Sequence, residues 1–187
     1  MCIRDRHDLE EGCVGILPVV TETPAAVLNI GDYQYSNSRI RALTWGAEDL
    51  SAAIGASTNV DESGRWLPPH QVTRSFCLFA SYAAGVQAMD TVMADFRDLA
   101  GLKQVCDEAR RDGYTGKLAI HPAQVPVIND AFSPTDSELS HARAVIAAFA
   151  AQPNVGTLNL EGKMIDRPHL TQAERLVAWA NEIGNSS

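Results

Sequence analysis

Long apolar runs are missing from this 187-residue chain. None approaches the roughly 18 consecutive residues that a bilayer-spanning helix needs, so no such span is expected. Cysteine is sparse: Cys2, Cys13, Cys77 and Cys106 are widely separated, with no CxxC pair and no zinc-type Cys/His spacing. That excludes a disulfide scaffold and a structural zinc site, and it fits a reducing, cytoplasmic-type compartment. Cys77 and Cys106 sit in apolar stretches and are expected to be small buried hydrophobes. Positive charge is also short. The 15 Lys and Arg are outnumbered by 23 Asp and Glu, giving a net charge of −8 and a pI near 5.0. No Lys/Arg cluster offers the basic face that grips nucleic-acid phosphates, so no nucleic-acid partner is expected. The N-terminal MCIRDRHDLEEGC lacks the apolar core of a secretory signal. Its first residues differ in character from the rest, and a truncation or junction is expected there.

What the chain does have is 45% hydrophobic residues, enough for a real core. Short apolar runs alternate with helical patterns. The runs are Val14–Val20, Ile40–Trp45, Gly85–Asp95 and Lys117–Pro122. The first is nearly continuous in its apolar residues, which predicts a strand buried on both faces. Asp98 to Arg111 places Leu102, Val105, Cys106 and Ala109 on one helical face, with Gly113 as a stop. Weaker helical patterns cover 69–84 and 123–131. Strand–helix alternation of this kind predicts βαβ units and a parallel sheet. Beyond it, Ser133-Pro134-Thr135-Asp136 reads as an N-cap with Pro at the first helical position. Two amphipathic helices follow, one on Leu139, Ala142, Val145, Ile146 and Phe149, the other on Leu170, Ala173, Leu176, Val177, Ala180 and Ile183. GTLNLEGKMIDRP between them has weak strand character. The expected organisation is an α/β part, 1–132, and a helical extension, 133–187.

In parallel α/β folds the working side chains gather at the C-terminal ends of the strands. There the sequence places Thr21-Glu22-Thr23, then Gly46-Ala47-Glu48-Asp49, then Asp95-Phe96-Arg97-Asp98, then His121-Pro122. Consecutive strands therefore end in carboxylates. Neighbouring strands lie about 4.8 Å apart, so such acids either repel or share a hard cation such as Mg²⁺. The bland reading stands beside this one: Thr21, Glu22 or Thr23 caps the helix that begins near Pro24, and Asp49 is a first-turn acid favoured by the helix dipole.

PVVTETPAAVLN and RALTWGAEDLSAAIG resemble the citrate lyase β-subunit-like family, within the HpcH/HpaI group of metal-dependent class II aldolases and acyl-CoA lyases. AMDTVMADFRDLAGL, GYTGKLAIHPAQVPVINDAFSP and GKMIDRPHLTQAERLV extend the resemblance over about Val14 to Trp179. The IHPxQ and GKMID motifs point to this family rather than to class II aldolases at large. The resemblance implies a (β/α)₈ TIM barrel with a C-terminal extension. The four runs become strands five to eight, and strands one to four, with an arginine that grips the 2-oxo acid, are missing. It implies that Glu22 and Asp49 bind Mg²⁺. The backbone amides of Ala47 and Glu48, beside Gly46, would hold the 2-oxo acid's carboxylate. Asp166 of GKMID would be the general acid/base, delivered from a neighbouring subunit of a homotrimer or hexamer. From the residues alone, Asp166 reads only as an N-cap ahead of Pro168.

The implied reaction splits a 3-hydroxyacyl-CoA into an acyl-CoA and a 2-oxo acid, or joins them. For the coenzyme A or thioester pocket the strand ends offer Arg97, Lys117, His121 and Pro122; for Arg97 and Lys117 the ordinary reading, a surface or helix-start charge, is the stronger one. Two alternatives remain: a class II pyruvate aldolase that uses no coenzyme A, and an inactive truncated remnant.

Overall fold

The computed structural model describes residues 10, 12–35 and 39–184. Most of the stretch expected to hold a junction, with Cys2, lies outside the described residues. The chain divides into two compact units, residues 1–132 and 133–187.

The first unit is α/β. Helix α1 (Pro24–Leu28) and a 3₁₀ turn (Ile30–Tyr35) precede β1 (Ala42–Thr44). Then come α2 (Glu48–Ile54), α3 (Pro68–Ala83), β2 (Gln87–Asp90), α4 (Leu99–Asp112), β3 (Gly116–Lys117) and α5 (Gln124–Phe132). The three strands form a parallel sheet in the order β1-β2-β3. Thr44 pairs with Met89, and Asp90 with Lys117. The core lies between sheet and helices, around Leu43, Trp45, Cys77, Leu102, Cys106 and Phe132. Both cysteines are fully buried, as expected. Helix α4 starts where Asp98 accepts a hydrogen bond from the Gly101 amide. It stops at Gly113, whose φ of 108° is open to glycine and strained for other residues.

The run Val14–Val20 departs from expectation. Instead of a strand it makes two isolated parallel bridges, Ile16 to Ile40 and Val19 to Thr44. Pro18 in its middle offers a carbonyl to Thr44 but has no N–H to return. Nor is it buried on both faces: Val14, Ile16, Leu17 and Val19 are all exposed, and only Val20 is enclosed. The third and fourth runs are also shorter than expected. β2 leaves the ladder after Asp90, where its carbonyl accepts from Leu118. The acid at that strand's end is therefore Asp90, and Asp95 to Asp98 lie further along the loop. β3 ends at Lys117, which puts His121 and Pro122 in the turn beyond it.

The second unit is two helices and a hairpin. Helix α6 (Asp136–Ala151) leads to the antiparallel strands β4 (Thr157–Leu160) and β5 (Lys163–Asp166), and α7 (Arg167–Gly184) closes the unit. The N-cap of α6 is Thr135, not Ser133. Thr135 Oγ1 accepts from the Glu138 amide while the Glu138 carboxylate accepts from the Thr135 N–H, a reciprocal capping box. Two donors satisfied at once outweigh a single cap at Ser133. The GTLNLEGKMID stretch is a full hairpin, because Glu161 and Gly162 adopt φ of 52° and 81° as a two-residue turn requires. Ala142, Val145, Phe149, Ile165 and Ala173 form the buried centre.

Candidate active site at the strand ends

The three residues after Val20 divide their tasks. Thr21 is fully buried, and its Oγ1 accepts from the Gly46 amide at 3.0 Å, tying the two strand ends together. Thr23 caps α1, accepting from the Ala26 amide at 3.2 Å with Pro24 behind it. Glu22 does neither. It is exposed, and its carboxylate has no hydrogen bond or ion pair among the described residues. A Cβ built on Gly46 would stand 3.1 Å from Val19 Cγ1 and 3.8 Å from Glu22 Cγ. Glycine at that position therefore keeps the space beside Glu22 open.

The second strand end divides similarly. Helix α2 begins at Glu48 with Ala47 as an N-cap that has no side-chain bond to give. Glu48 and Asp49 both lie in the first turn, where the dipole favours negative charge. Glu48 Oε1 accepts from the Asn59 side-chain amide at 2.9 Å. Asp49 is exposed and has no such partner among the described residues. Glu22 and Asp49 are thus two uncommitted carboxylates following adjacent parallel segments. Among the described residues no group of three or more His, Cys, Asp or Glu is assembled for a metal. Two oxygen donors do not make an all-protein cage, but they match Mg²⁺, which is commonly held by one or two carboxylates with waters and substrate oxygens completing its shell.

Ala47 is held from behind. Ser51 Oγ donates to the Ala47 carbonyl at 2.8 Å and lies 2.8 Å from His70 Nε2. With the hydroxyl proton so committed, Nε2 carries the imidazole proton, and the fully buried Nδ1 has no partner among the described residues. Nothing in the spacing of Ser51 and His70 announced this contact.

A cavity of about 970 Å³ is lined by Ala47, Glu48, Arg74, Asp90, Gln104 and Lys117, among others. Glu22 and Asp49 are not in its wall, so it is the strand-end geometry that marks the carboxylate pair. Asp90 is the buried centre of a charged network that sequence reading missed. Trp45 Nε1 donates to it at 2.7 Å, Arg74 Nε at 3.2 Å and Lys117 Nζ at 3.2 Å. Burial alone would raise the Asp90 pKa, but Lys117 and Arg74, helped by the Trp45 N–H, hold it below the usual carboxylate value. The available signal was an acid inside the apolar run Ala88-Met89-Asp90-Thr91-Val92, which burial would oblige to pair. Lys117 is accordingly no surface or helix-start charge. It is 6% exposed and neutralised by Asp90.

The other pocket candidates meet in a stack. The Arg97 guanidinium lies 4.9 Å from the centroid of the Phe96 ring, and Phe96 stacks on His121 at 4.5 Å with planes 20° apart. His121 Nδ1 accepts from the Ala123 amide at 3.1 Å. The glutamine of the IHPxQ motif has a structural role. Gln124 is fully buried, its Oε1 accepts from the Ile120 and His121 amides, and its Nε2 donates to the Met93 carbonyl. Pro122 sits in the turn so pinned. Asp166, in the second unit, is the last residue of β5 and immediately precedes α7, and its carboxylate meets His169.

Known proteins resemble this chain in sequence and fold. The profile of the HpcH/HpaI aldolase/citrate lyase family matches residues 6–122. A citrate lyase subunit beta-like protein of Mycobacterium tuberculosis is 36% identical over 140 residues, 75% of this chain and 50% of the relative. The mitochondrial citramalyl-CoA lyase of Mus musculus is 38% identical over 144 residues, 76% of this chain and 41% of its own. The chain spans about half the length of these curated relatives. The crystal structure of CitE from Mycobacterium tuberculosis in complex with magnesium, acetoacetate and coenzyme A matches with a TM-score of 0.75 at 32% identity, covering 90% of this chain and 61% of that one. An α/β fold with a parallel sheet, the strand-end motifs and these relatives agree: the chain belongs to the HpcH/HpaI aldolase/citrate lyase family.

Proposed function

We propose that this chain carries the metal-binding half of a Mg²⁺-dependent carbon–carbon lyase that cleaves or forms a 3-hydroxyacyl-CoA from an acyl-CoA and a 2-oxo acid. The observation that carries the proposal is the division of labour at the strand ends. Thr21, Thr23 and Glu48 have structural partners, while Glu22 and Asp49 are left exposed and unengaged. β1 to β3 and the bridged run before them correspond, in this reading, to strands five to eight of a (β/α)₈ barrel.

Glu22 and Asp49 would hold the ion. Bound there, Mg²⁺ supplies Lewis-acid stabilisation of negative charge on the 2-oxo acid's carbonyl oxygen. The amides of Ala47 and Glu48, beside Gly46, receive the substrate carboxylate, and the Ser51–Ala47 hydrogen bond steadies that turn. In cleavage the 3-hydroxyl gives its proton to solvent water, from which Asp166 regains one after each turnover, and the carbon–carbon bond breaks. Its electron pair forms the acyl-CoA enolate, and the enolate carbon takes a proton from the Asp166 carboxyl group. In synthesis the Asp166 carboxylate removes that proton. Asp166 belongs to the 133–187 unit and would serve the site of a neighbouring copy in a homotrimer or hexamer. His121, Pro122 and Arg97, with the Phe96 ring against both His121 and Arg97, would border the coenzyme A thioester. Lys117, buried against Asp90, takes a place in the wall rather than on a phosphate.

A class II pyruvate aldolase without coenzyme A shares the carboxylate pair but leaves GKMID unexplained. The deciding experiment titrates Mg²⁺ into the chain and its Glu22→Gln and Asp49→Asn variants by calorimetry, then assays a panel of acyl-CoA and 2-oxo acid pairs. Weakened binding in both variants and turnover of a coenzyme A pair support the lyase. Unchanged affinity in both variants, or turnover of 2-oxo acid aldols alone, overturns it.

A further inference from the structure

The Asp166 carboxylate has a partner that neither the motif nor the fold predicts. His169 Nδ1 lies 2.5 Å from Asp166 Oδ1 and 3.2 Å from the Asp166 backbone nitrogen. The ring nitrogen thus stands between an acceptor and a donor of one residue. With Nδ1 protonated, its N–H donates to Oδ1. With Nδ1 unprotonated, its lone pair accepts from the Asp166 N–H and from the O–H of the protonated carboxyl group. Either way the ring keeps its place.

The neighbours leave this task to His169. Arg167 is committed elsewhere: its Nη2 donates to the Pro153 carbonyl at 2.7 Å, and its guanidinium lies 5.5 Å from the Phe149 ring centroid. Pro168 has no N–H with which to hold a carboxylate at the helix start. Asp166 itself is anchored by its pairing with Thr157 across the hairpin. Both side chains remain accessible, 35% exposed for Asp166 and 49% for His169.

We propose that His169 is a positioning residue for Asp166, holding the carboxyl group in one rotamer whether or not it carries a proton. A general acid/base alternates between those two forms in every turnover. A side chain that swung when its charge changed would lose the alignment on which proton transfer depends. The catalytic consequence rests on the lyase reading; the hydrogen-bond arrangement does not.

The two can be tested separately. Side-chain ¹⁵N NMR of the full chain above the imidazole's titration range, with the resonance assigned by its loss in His169→Asn, reads which nitrogen carries the proton. We expect Nδ1–H in the wild type and Nε2–H in Asp166→Ala, where the backbone N–H at position 166 is the partner that remains. The Nε2–H form in both proteins would overturn the arrangement. In the second arm, His169→Ala should lower kcat roughly 10- to 100-fold with KM unchanged. His169→Asn, whose side-chain N–H₂ takes the place of Nδ1, should restore most of it, and His169→Gln should not. Wild-type kcat in His169→Ala, or equal rescue by Gln and Asn, would overturn the positioning role. Absent turnover in the wild type alongside the expected tautomer shift would count against the lyase reading alone and would support the Asp166–His169 arrangement.

Discussion

Asn59 donates its side-chain amide to Glu48 Oε1 at 2.9 Å, and Asp49, the next residue along, has no such partner among the described residues. Two adjacent acids in one helical turn are thereby made unequal. Glu48→Gln should leave Mg²⁺ affinity nearly unchanged, because the Asn59 contact survives in amide form. Asp49→Asn should cost at least the roughly 10- to 100-fold that loss of even an outer partner of a metal site costs. Calorimetry on the two variants decides it, and equal losses would mean that both acids bind.

Asp166→Asn should leave Mg²⁺ affinity intact and lower turnover by roughly 10²- to 10⁴-fold, the usual worth of a general acid/base. Turnover near the wild-type level would remove Asp166 from the reaction.

The Asp90 network should govern stability in acid. Its folded-state pKa is depressed by Lys117 and Arg74 against the opposing effect of burial. The unfolded chain therefore takes up its proton first as pH falls. The stabilisation is complete above about pH 4 and is lost as pH drops from there through the folded-state value. Urea unfolding at a series of pH values should show Asp90→Asn with a flatter acid limb than the wild type. Lys117→Met, which leaves the Asp90 charge buried with one partner fewer, should cost about 3–5 kcal/mol at neutral pH.

Thiol reactivity should separate the cysteines. Cys77 and Cys106 are fully enclosed, and burial pushes their pKa values up to about 12 and about 11. Cys13 is exposed. Brief maleimide treatment of the native chain, read by peptide mass spectrometry, should label Cys13 and spare Cys77 and Cys106. Labelling all three at one rate would mean that the first unit's core is open.

Patterns that repeat along the chain were legible in advance. The apolar stripes of α4, α6 and α7 and the stop at Gly113 follow from helical periodicity and glycine's access to positive φ. What escaped depends on partners distant in the chain or on competition between nearby groups. Ser133 and Thr135 are both acceptable caps, and Glu138 decides between them. Lys117 resembles a surface charge until the fold sets it beside Asp90. The apolar run Val14–Val20 has the composition of a buried strand, yet its exposure depends on what packs against it, which composition does not record. At the site, residues show where carboxylates fall along strands. Only in the fold do Thr21, Thr23 and Glu48 gain their partners, which is what singles out Glu22 and Asp49.

The Glu161–Gly162 turn also bears on how the chain assembles. It lets β4 meet β5 across two residues, whereas in the parallel sheet Ala42 must find Gln87 across two intervening helices and Met89 must find Gly116 across one. Closing a short loop gives up far less chain entropy than closing a long one, and contacts local in sequence form faster. The hairpin and its capped helix are thus placed to form early. GKMID would take its final shape on that local timescale, while the strand ends bearing Glu22 and Asp49 wait for the slower search that brings parallel segments into register.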